Sequence, residues 1–214
     1  MTYVVPATQW HIRSREDARR EDDRLARTVV GGVGLVPLAL LALSAFGVFG
    51  LRDLATHVLP PALAAAVVVL RRDRLGPRMV LEAVAIGMVA TAAYDLFRFA
   101  FLAGGLLPSD PIPHIGAALR LHPDWLYGYA WRYVGDGGGL AVAFLALGLR
   151  GVRAGVAFGL MVAAGLLLTL ALSPLGQQML FPLTATTVVM AVGGHAIYGA
   201  VLGSLAGRRP VQSY

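Results

Sequence analysis

Long apolar runs alternate with short polar stretches along the chain, and this alternation predicts an all-α membrane protein. A helix that crosses a bilayer core needs about 20 apolar residues. Six runs reach or approach this length, at residues 29–50, 59–70, 79–103, 131–149, 152–172 and 183–206. We therefore expect a polytopic integral membrane bundle of about six transmembrane helices, preceded by a short charged helix.

The polar stretches divide the chain around this bundle. Residues 1–28 are expected to form a charged cytoplasmic arm, residues 29–207 the transmembrane domain with an outer loop at 104–130, and residues 208–214 a cytoplasmic tail. In the arm, Ser14 is suited to cap a helix that runs to about Arg27. Because this helix is polar on all sides, we expect it to be exposed to solvent or docked on a partner.

Prolines modify the first two spans. Pro37 should bend the first span, because it removes one backbone hydrogen bond. Pro60 and Pro61 suit the start of the second span. The second span then covers about 12 residues and rises only ~18 Å, less than the bilayer core. It should therefore either extend back to Leu54 or lie between neighbouring helices.

The outer loop and the fourth span carry two further local signals. A short interfacial helix is expected near Ile115–Leu121, within a loop that is otherwise rich in proline. Gly135 and Gly137–Gly139 should break the outer half of the fourth span. The run thus indicates a broken or closely packed segment, which is tolerated in a membrane where it lines a cavity or a neighbouring helix.

The arginines predict the orientation of the bundle. All 18 basic residues are arginine; six lie in the arm, four in residues 71–78, two in residues 150–153 and two at residues 208–209. With six spans these four segments share one side, and arginine-rich short loops face the cytoplasm. We therefore expect both termini in the cytoplasm. Abundant Ala, Gly, Val, Leu and Arg suggest a GC-rich genome, so the membrane is expected to be a bacterial plasma membrane.

The composition also excludes several classes of chemistry. The chain is 57% hydrophobic and 14% charged, whereas a soluble domain carries about 25% charged residues. It contains no cysteine and no lysine, which excludes disulfides, thiolate sites and a lysine Schiff base. The net charge of +6 comes from arginines at membrane boundaries, so it does not indicate a nucleic-acid partner.

Five polar side chains lie inside the predicted spans at a similar depth, in the outer half of the membrane: Asp95, Arg98, Arg132, Asp136 and His195. Unpaired burial of such groups is costly, so each should have a partner. One hypothesis is a structural staple, in which Asp95 pairs with Arg132 and Arg98 with Asp136. The other is a polar pocket open to the outside, in which Arg98 or Arg132 binds an anionic group and His195 relays a proton.

A second group of polar side chains lies on the outer side of the predicted membrane: His57, His114, His122, Asp110, Asp124 and Trp125. The three histidines could meet there with one aspartate as a metal site. Their spacing matches no metal signature, so no metal is predicted. No cofactor is predicted either, because a bis-histidine haem needs two facing histidines and only His195 lies well within a span.

Glycines recur at every fourth residue in the last two spans, at Gly151, Gly155 and Gly159 and at Gly199, Gly203 and Gly207. Small residues at this spacing let helix backbones approach closely in lipid. The glycines therefore predict helix packing. His195 lies four residues before Gly199, on the same stripe, so it should face another helix.

Three functions fit these observations. The first is a non-catalytic membrane subunit or scaffold with a buried polar cluster, which contacts the bilayer and other membrane subunits or further copies of itself, in part through the N-terminal arm. The alternative is a small-solute transporter or substrate-binding membrane protein with an outward-facing pocket. The third is a membrane enzyme with His195 and Asp95 as its acid–base pair, which no motif supports.

Overall fold

A computed structural model describes residues 7–72 and 77–208, and every regular element within these residues is helical. Five helices in this part of the chain are long and apolar enough to cross a membrane: Arg24–Ala45, Leu51–Arg71, Pro77–Ala103, Gly151–Leu172 and Ala185–Gly207. The expectation that the chain is all-helical is thereby confirmed for the described residues, and five of their helices have the length and composition of membrane spans. Residues 1–6 of the predicted arm, Arg74 of the inner loop and residues 209–214 of the predicted tail lie outside the described residues.

The first helix, α1, runs without interruption from Ala7 to Ala45. The expectation that a separate helix begins at Ser14 and ends at about Arg27 is therefore wrong, because one helix contains both the charged stretch and the first span. Helix formation depends on backbone hydrogen bonds that polar and apolar residues make equally well, so a change of polarity does not end a helix. Pro37 lies inside α1 and removes only one of these bonds.

The second helix, α2, runs from Leu51 to Arg72. Pro60 and Pro61 lie in its interior, so the expectation that they begin the helix is wrong. Its 22 residues rise ~33 Å, enough to cross a bilayer core. The second span therefore extends back even further than Leu54, and the helix before the prolines is held by Leu51 and Leu54, which are both buried.

The third helix, α3, spans Pro77–Ala103 and is followed by two short helices in the outer loop, α4 at Ile112–Leu119 and α5 at Asp124–Ala130. The interfacial helix expected at 115–121 is thus present but begins three residues earlier. Pro111 and Pro113 explain the shift, because proline is well suited to the first turn of a helix.

A π-helix, Trp131–Gly138, follows α5 directly and continues into α6, Gly139–Ala146. The expected break at Gly135 and Gly137–Gly139 is therefore wrong, because the chain continues there as a π-helix. The alternative, a closely packed segment, agrees with the structure, since neighbouring helices approach these glycines directly. A methyl group on Gly137 would overlap Thr91 of α3, and one on Gly139 would overlap the backbone of α1 at Gly34.

Three further helices complete the fold: α7 at Gly151–Leu172, the short α8 at Gly176–Met179, and α9 at Ala185–Gly207. Helices α7 and α9 pack most closely, while α3 packs on α9 and α1 packs on α6. The glycine stripes form the α7–α9 contact, since a methyl group on Gly155 would overlap Gly199 and one on Gly203 would overlap Gly151. A methyl group on Gly159 would overlap the carbonyl of His195.

Candidate functional site

The polar site is built around Asp95, whose side chain is completely buried on α3. Arg132, from the π-helix, directs Nε and Nη2 at Asp95 Oδ1, at 2.8 and 2.7 Å. Arg98, one turn further along α3, donates from Nε to the same oxygen at 3.2 Å. The expected pairing of Asp95 with Arg132 is therefore present, and it joins α3 to the π-helix.

Arg98 does not pair with Asp136, as the staple hypothesis expected, but with Asp110 in the outer loop. Its Nη2 donates to the hydroxyl of Tyr129 at 2.9 Å, and Tyr129 donates in turn to Asp110 Oδ2 at 2.6 Å. The pairing with Asp136 is wrong because the loop folds back and brings Asp110 to the same guanidinium. Arg98 thus ties α3 to both the loop and α5.

Asp110 is held in place by several donors at once. Besides Arg98 and Tyr129, the backbone amide of Ile112 donates to its Oδ1 at 3.0 Å. Partial burial alone would raise the pKa of Asp110, but these hydrogen bonds and the guanidinium charge together lower it below its usual value. Asp110 is therefore held as a carboxylate that fixes the start of α4.

Asp136 lies on the π-helix and forms no salt bridge with an arginine of the described residues. Its Oδ1 is buried and accepts no hydrogen bond from any described residue. The indole Nε1 of Trp131 lies near Asp136 but does not reach a standard hydrogen-bond geometry. Asp136 is therefore the carboxylate of this cluster that is not paired within the described part of the chain.

His195 lies beside this cluster on α9. Its Nδ1 is 2.7 Å from the carbonyl oxygen of Ala191, and its ring meets Tyr94 edge-on with the ring centres 5.0 Å apart. The guanidinium of Arg132 covers the Tyr94 ring at 4.4 Å. Tyr198, one turn beyond His195, donates to the carbonyl oxygen of Gly137 at 2.7 Å. His195 is thus packed against the ring of Tyr94, the residue next to Asp95 on α3.

A cavity opens between these polar groups and an apolar wall. The space open to the centres of water-sized molecules is about 90 Å³. Its polar lining is Thr91, Tyr94, Arg98, Arg132, Asp136, His195 and Tyr198, and its apolar lining includes Leu38, Leu41, Leu140, Val162, Leu166 and Met190. Ile112 and Ile115 of α4 also contribute, so the outer loop forms part of the enclosure.

The remaining outer residues lie outside this cavity. His57 is exposed, and its Nδ1 is 2.8 Å from the carbonyl oxygen of Asp53 on the same helix. His114 and Trp125 are exposed, and the exposed His122 lies 2.8 Å from Asp124. Within the described residues no three His, Asp or Glu side chains come together as metal ligands.

Three tyrosines belong to the site although the sequence analysis did not select them: Tyr94, Tyr129 and Tyr198. Tyr94 packs against Arg132, Tyr129 hydrogen-bonds with Arg98, and Tyr198 donates to a backbone carbonyl of the π-helix. Tyr94 could have been found from its position next to Asp95, and Tyr198 lies one helical turn after His195. Tyr129 gave no such signal, because its contact with Arg98 depends on the folding of the loop.

Comparison with protein-family models, with curated proteins and with solved structures finds no match to this chain. The function must therefore be argued from the geometry of the site.

Proposed function

We propose that the protein is an integral membrane protein that binds a small solute in the central cavity, as a transporter or a substrate-binding protein. The observation that supports this proposal is the composition of the cavity wall. The lining combines three polar side chains, Asp136, Arg132 and His195, with several aliphatic ones. A concave, mostly apolar pocket with a few convergent polar groups is the usual form of a small-molecule site.

The π-helix supports the same proposal. Short π-helical segments are rare and occur frequently at functional sites. Here the π-helix supplies two of the polar groups in the cavity wall, Arg132 and Asp136. A purely structural connection between α5 and α6 would need neither the wider helix nor a carboxylate in the cavity wall.

A membrane subunit or scaffold is the second proposal. The glycine stripes were expected to supply contact surfaces, but those of α7 and α9 pack on each other. The feature that favours a partner is α2, which is the least buried of the five long apolar helices in the described residues. It packs mainly on α1 and to a smaller extent on α4. A second subunit could cover its remaining surface.

An enzyme that uses His195 and Asp95 is less well supported by the geometry. Both arginines donate to Asp95 Oδ1, so this oxygen cannot take up a proton without losing them, while Oδ2 is buried and accepts no hydrogen bond from a described residue. The ring of Tyr94 lies against His195. A proton transfer between the two residues would require this packing to change.

We further propose six crossings, with both termini in the cytoplasm of a bacterium. The sixth crossing would be formed by α5, the π-helix and α6, which follow one another without a gap and contain 7, 8 and 8 residues. This length is sufficient for a bilayer core. The clustering of arginines on one side of a six-span bundle supports the orientation.

The binding proposal is tested by narrowing the cavity. Leu166→Phe on α7 adds bulk to the cavity wall, whereas the matched control Leu168→Phe adds the same bulk at a side chain that is 59% exposed. The purified protein in lipid nanodiscs is titrated with benzylammonium, benzyl alcohol and benzoate by calorimetry. We expect at least one of the three to bind the wild type and the control, and Leu166→Phe to bind it at least about tenfold more weakly.

Two outcomes would contradict this proposal. In one, Leu166→Phe binds the probes as well as Leu168→Phe does, so that binding does not involve the cavity. In the other, none of the three probes binds the wild type at millimolar concentration. The scaffold proposal would be favoured instead if the protein purifies with a stoichiometric partner that is lost when exposed residues of α2 are changed.

A further inference from the structure

The two arginines of the site are already occupied by carboxylates of the chain. Arg98 directs its three nitrogens to Asp95, Asp110 and Tyr129. Arg132 directs both Nε and Nη2 to Asp95, so one of the two edges of its guanidinium that suit a bidentate contact is taken. An anionic solute at this edge would have to displace Asp95, which is completely buried and would lose its counter-ion.

The charges of the cluster do not balance. Arg132 pairs with Asp95, and Arg98 pairs with Asp110. Asp136 then forms no salt bridge with a described residue, because Arg132, the cation that acts on it through space, is already paired with Asp95. The indole of Trp131, which also lies near Asp136, is neutral. A buried carboxylate in a membrane protein is costly unless a cation or a proton accompanies it.

The position of Asp136 makes it available to a solute. It lines the cavity, and its Oδ1 has an unused capacity for hydrogen bonds. Leu140 and Val162 lie on the same cavity wall and are apolar. The rings of Tyr94 and Tyr198 line the cavity as well, and aromatic faces attract organic cations. The cavity thus combines one free carboxylate with aromatic and aliphatic surfaces.

The size of the cavity limits the solute. An ordered water needs about 10–15 Å³ on the same measure of volume, so a cavity of about 90 Å³ has room for roughly six to nine waters. A solute with roughly six to nine non-hydrogen atoms would therefore fill the cavity.

We infer that the solute of this site is a small organic cation, a protonated amine with an apolar body, which Asp136 binds as its counter-ion. This inference rests on the proposed binding function and specifies its substrate class. The ammonium group would donate to the carboxylate of Asp136, and the apolar body would lie against the aliphatic wall. The cation would neutralise the charge of Asp136, with which neither Arg98 nor Arg132 forms a salt bridge.

The test compares three probes of nearly equal size and different charge: benzylammonium, benzyl alcohol and benzoate. They are titrated at neutral pH by calorimetry into the full-length protein in lipid nanodiscs. A hydrogen bond to a charged group is worth roughly a factor of ten or more in affinity. We therefore expect benzylammonium to bind the wild type at least about tenfold more tightly than benzyl alcohol, and benzoate to bind most weakly.

Asp136→Asn removes the charge and keeps the shape of the side chain. We expect this variant to bind benzylammonium and benzyl alcohol with similar affinity. The matched control, Asp53→Asn, changes an exposed aspartate at the start of α2 and should keep the preference for the cation. Should Asp136→Asn fail to fold, the comparison of the three probes on the wild type still decides the proposal.

The outcomes separate this inference from the binding proposal on which it rests. If the three probes bind equally and Leu166→Phe weakens all of them, the cavity binds solutes but the cation class is wrong. Tighter binding of benzoate would also overturn the inference and would identify Arg132 as the anchor. If Asp136→Asn still prefers the cation, a group other than Asp136 causes the preference, and the inference is overturned. Absence of benzylammonium binding at millimolar concentration would overturn it as well.

Discussion

Arg132 reaches from the π-helix to Asp95 on α3 and places two nitrogens, Nε at 2.8 Å and Nη2 at 2.7 Å, against the same carboxylate oxygen. The two residues are 37 positions apart in the sequence. Asp95 is completely buried, so this contact holds two helices together where water cannot replace either partner. Because Arg98 also donates to Asp95, a single carboxylate connects α3, the π-helix and, through Arg98, the outer loop.

This arrangement predicts strong coupling between Asp95 and Arg132. Asp95→Asn and Arg132→Gln should each lower the free energy of unfolding by about 3–5 kcal/mol, because removal of one partner leaves the other charge buried and unpaired. The double variant should be less destabilised than the sum of the single variants, by about 1 kcal/mol or more. Reversible denaturation in mixed micelles measures both quantities.

Arg153→Gln is the control for this cycle, because Arg153 is exposed on α7. It should leave the free energy of unfolding unchanged within about 0.5 kcal/mol. Additive effects of Asp95→Asn and Arg132→Gln would show that the two side chains do not stabilise the fold as a pair.

The lowered pKa of Asp110 predicts how the stability of the folded protein depends on pH in acid. Its pKa in the folded protein lies below its usual value, so its contribution is fully present above the pKa of the unfolded chain, about 3.9. The contribution is lost as the pH falls through the lower folded pKa. The unfolding temperature of the wild type should therefore drop as the pH falls from about 5 to about 3.

Asp110→Asn should be less stable at neutral pH and should lose part of this acid dependence, because the titrating group is gone. Asp53→Asn, at an exposed position of α2, should follow the wild type over the same range. Scanning fluorimetry in detergent at several pH values makes the comparison. An Asp110→Asn curve parallel to that of the wild type would show that Asp110 is not held by Arg98 and Tyr129 in the folded protein.

Helix α7 offers a matched pair of glycines that tests its contact with α9. A methyl group on Gly155 would overlap the carbonyl oxygen of Gly199, whereas one on Gly165 would meet no atom within 4 Å. Gly155→Ala should therefore destabilise the protein by about 1–3 kcal/mol through overpacking. Gly165→Ala should be neutral or slightly stabilising, since alanine is the better helix former. Equal unfolding temperatures for the two variants would argue against the close contact.

The sequence predicted the long apolar helices, but it did not predict all the contacts of the charged side chains. Apolar length alone located the long spans, because the bilayer requires it. The cost of burying an unpaired charge also predicted a partner for Asp95, and the expected one, Arg132, is present. The sequence could not assign Asp110 to Arg98, since that contact depends on how a loop rich in proline folds back over α3.

The glycines of the fourth span show a different limit. A run such as Gly135–Gly139 weakens helical preference, which fits a break as well as a wider helix. The choice depends on close neighbours that no local pattern reveals: Thr91 lies against Gly137, and the backbone of Gly34 lies against Gly139. With these contacts the segment stays helical, and Asp136, which belongs to it, lies in the wall of the cavity.

The last prediction concerns the number of crossings. If α5, the π-helix and α6 together cross the membrane, Ser109 and Arg150 lie on opposite sides; if they do not, both residues lie on the same side. Because the chain contains no cysteine, Ser109→Cys and Arg150→Cys can be labelled separately with a membrane-impermeant maleimide without background. Both positions are exposed.

We expect Ser109→Cys to react in intact cells and Arg150→Cys to react only after lysis. Gln178→Cys, beyond α7 and also exposed, should behave as Ser109→Cys does, and identical labelling of Ser109→Cys and Arg150→Cys would limit the bundle to five crossings.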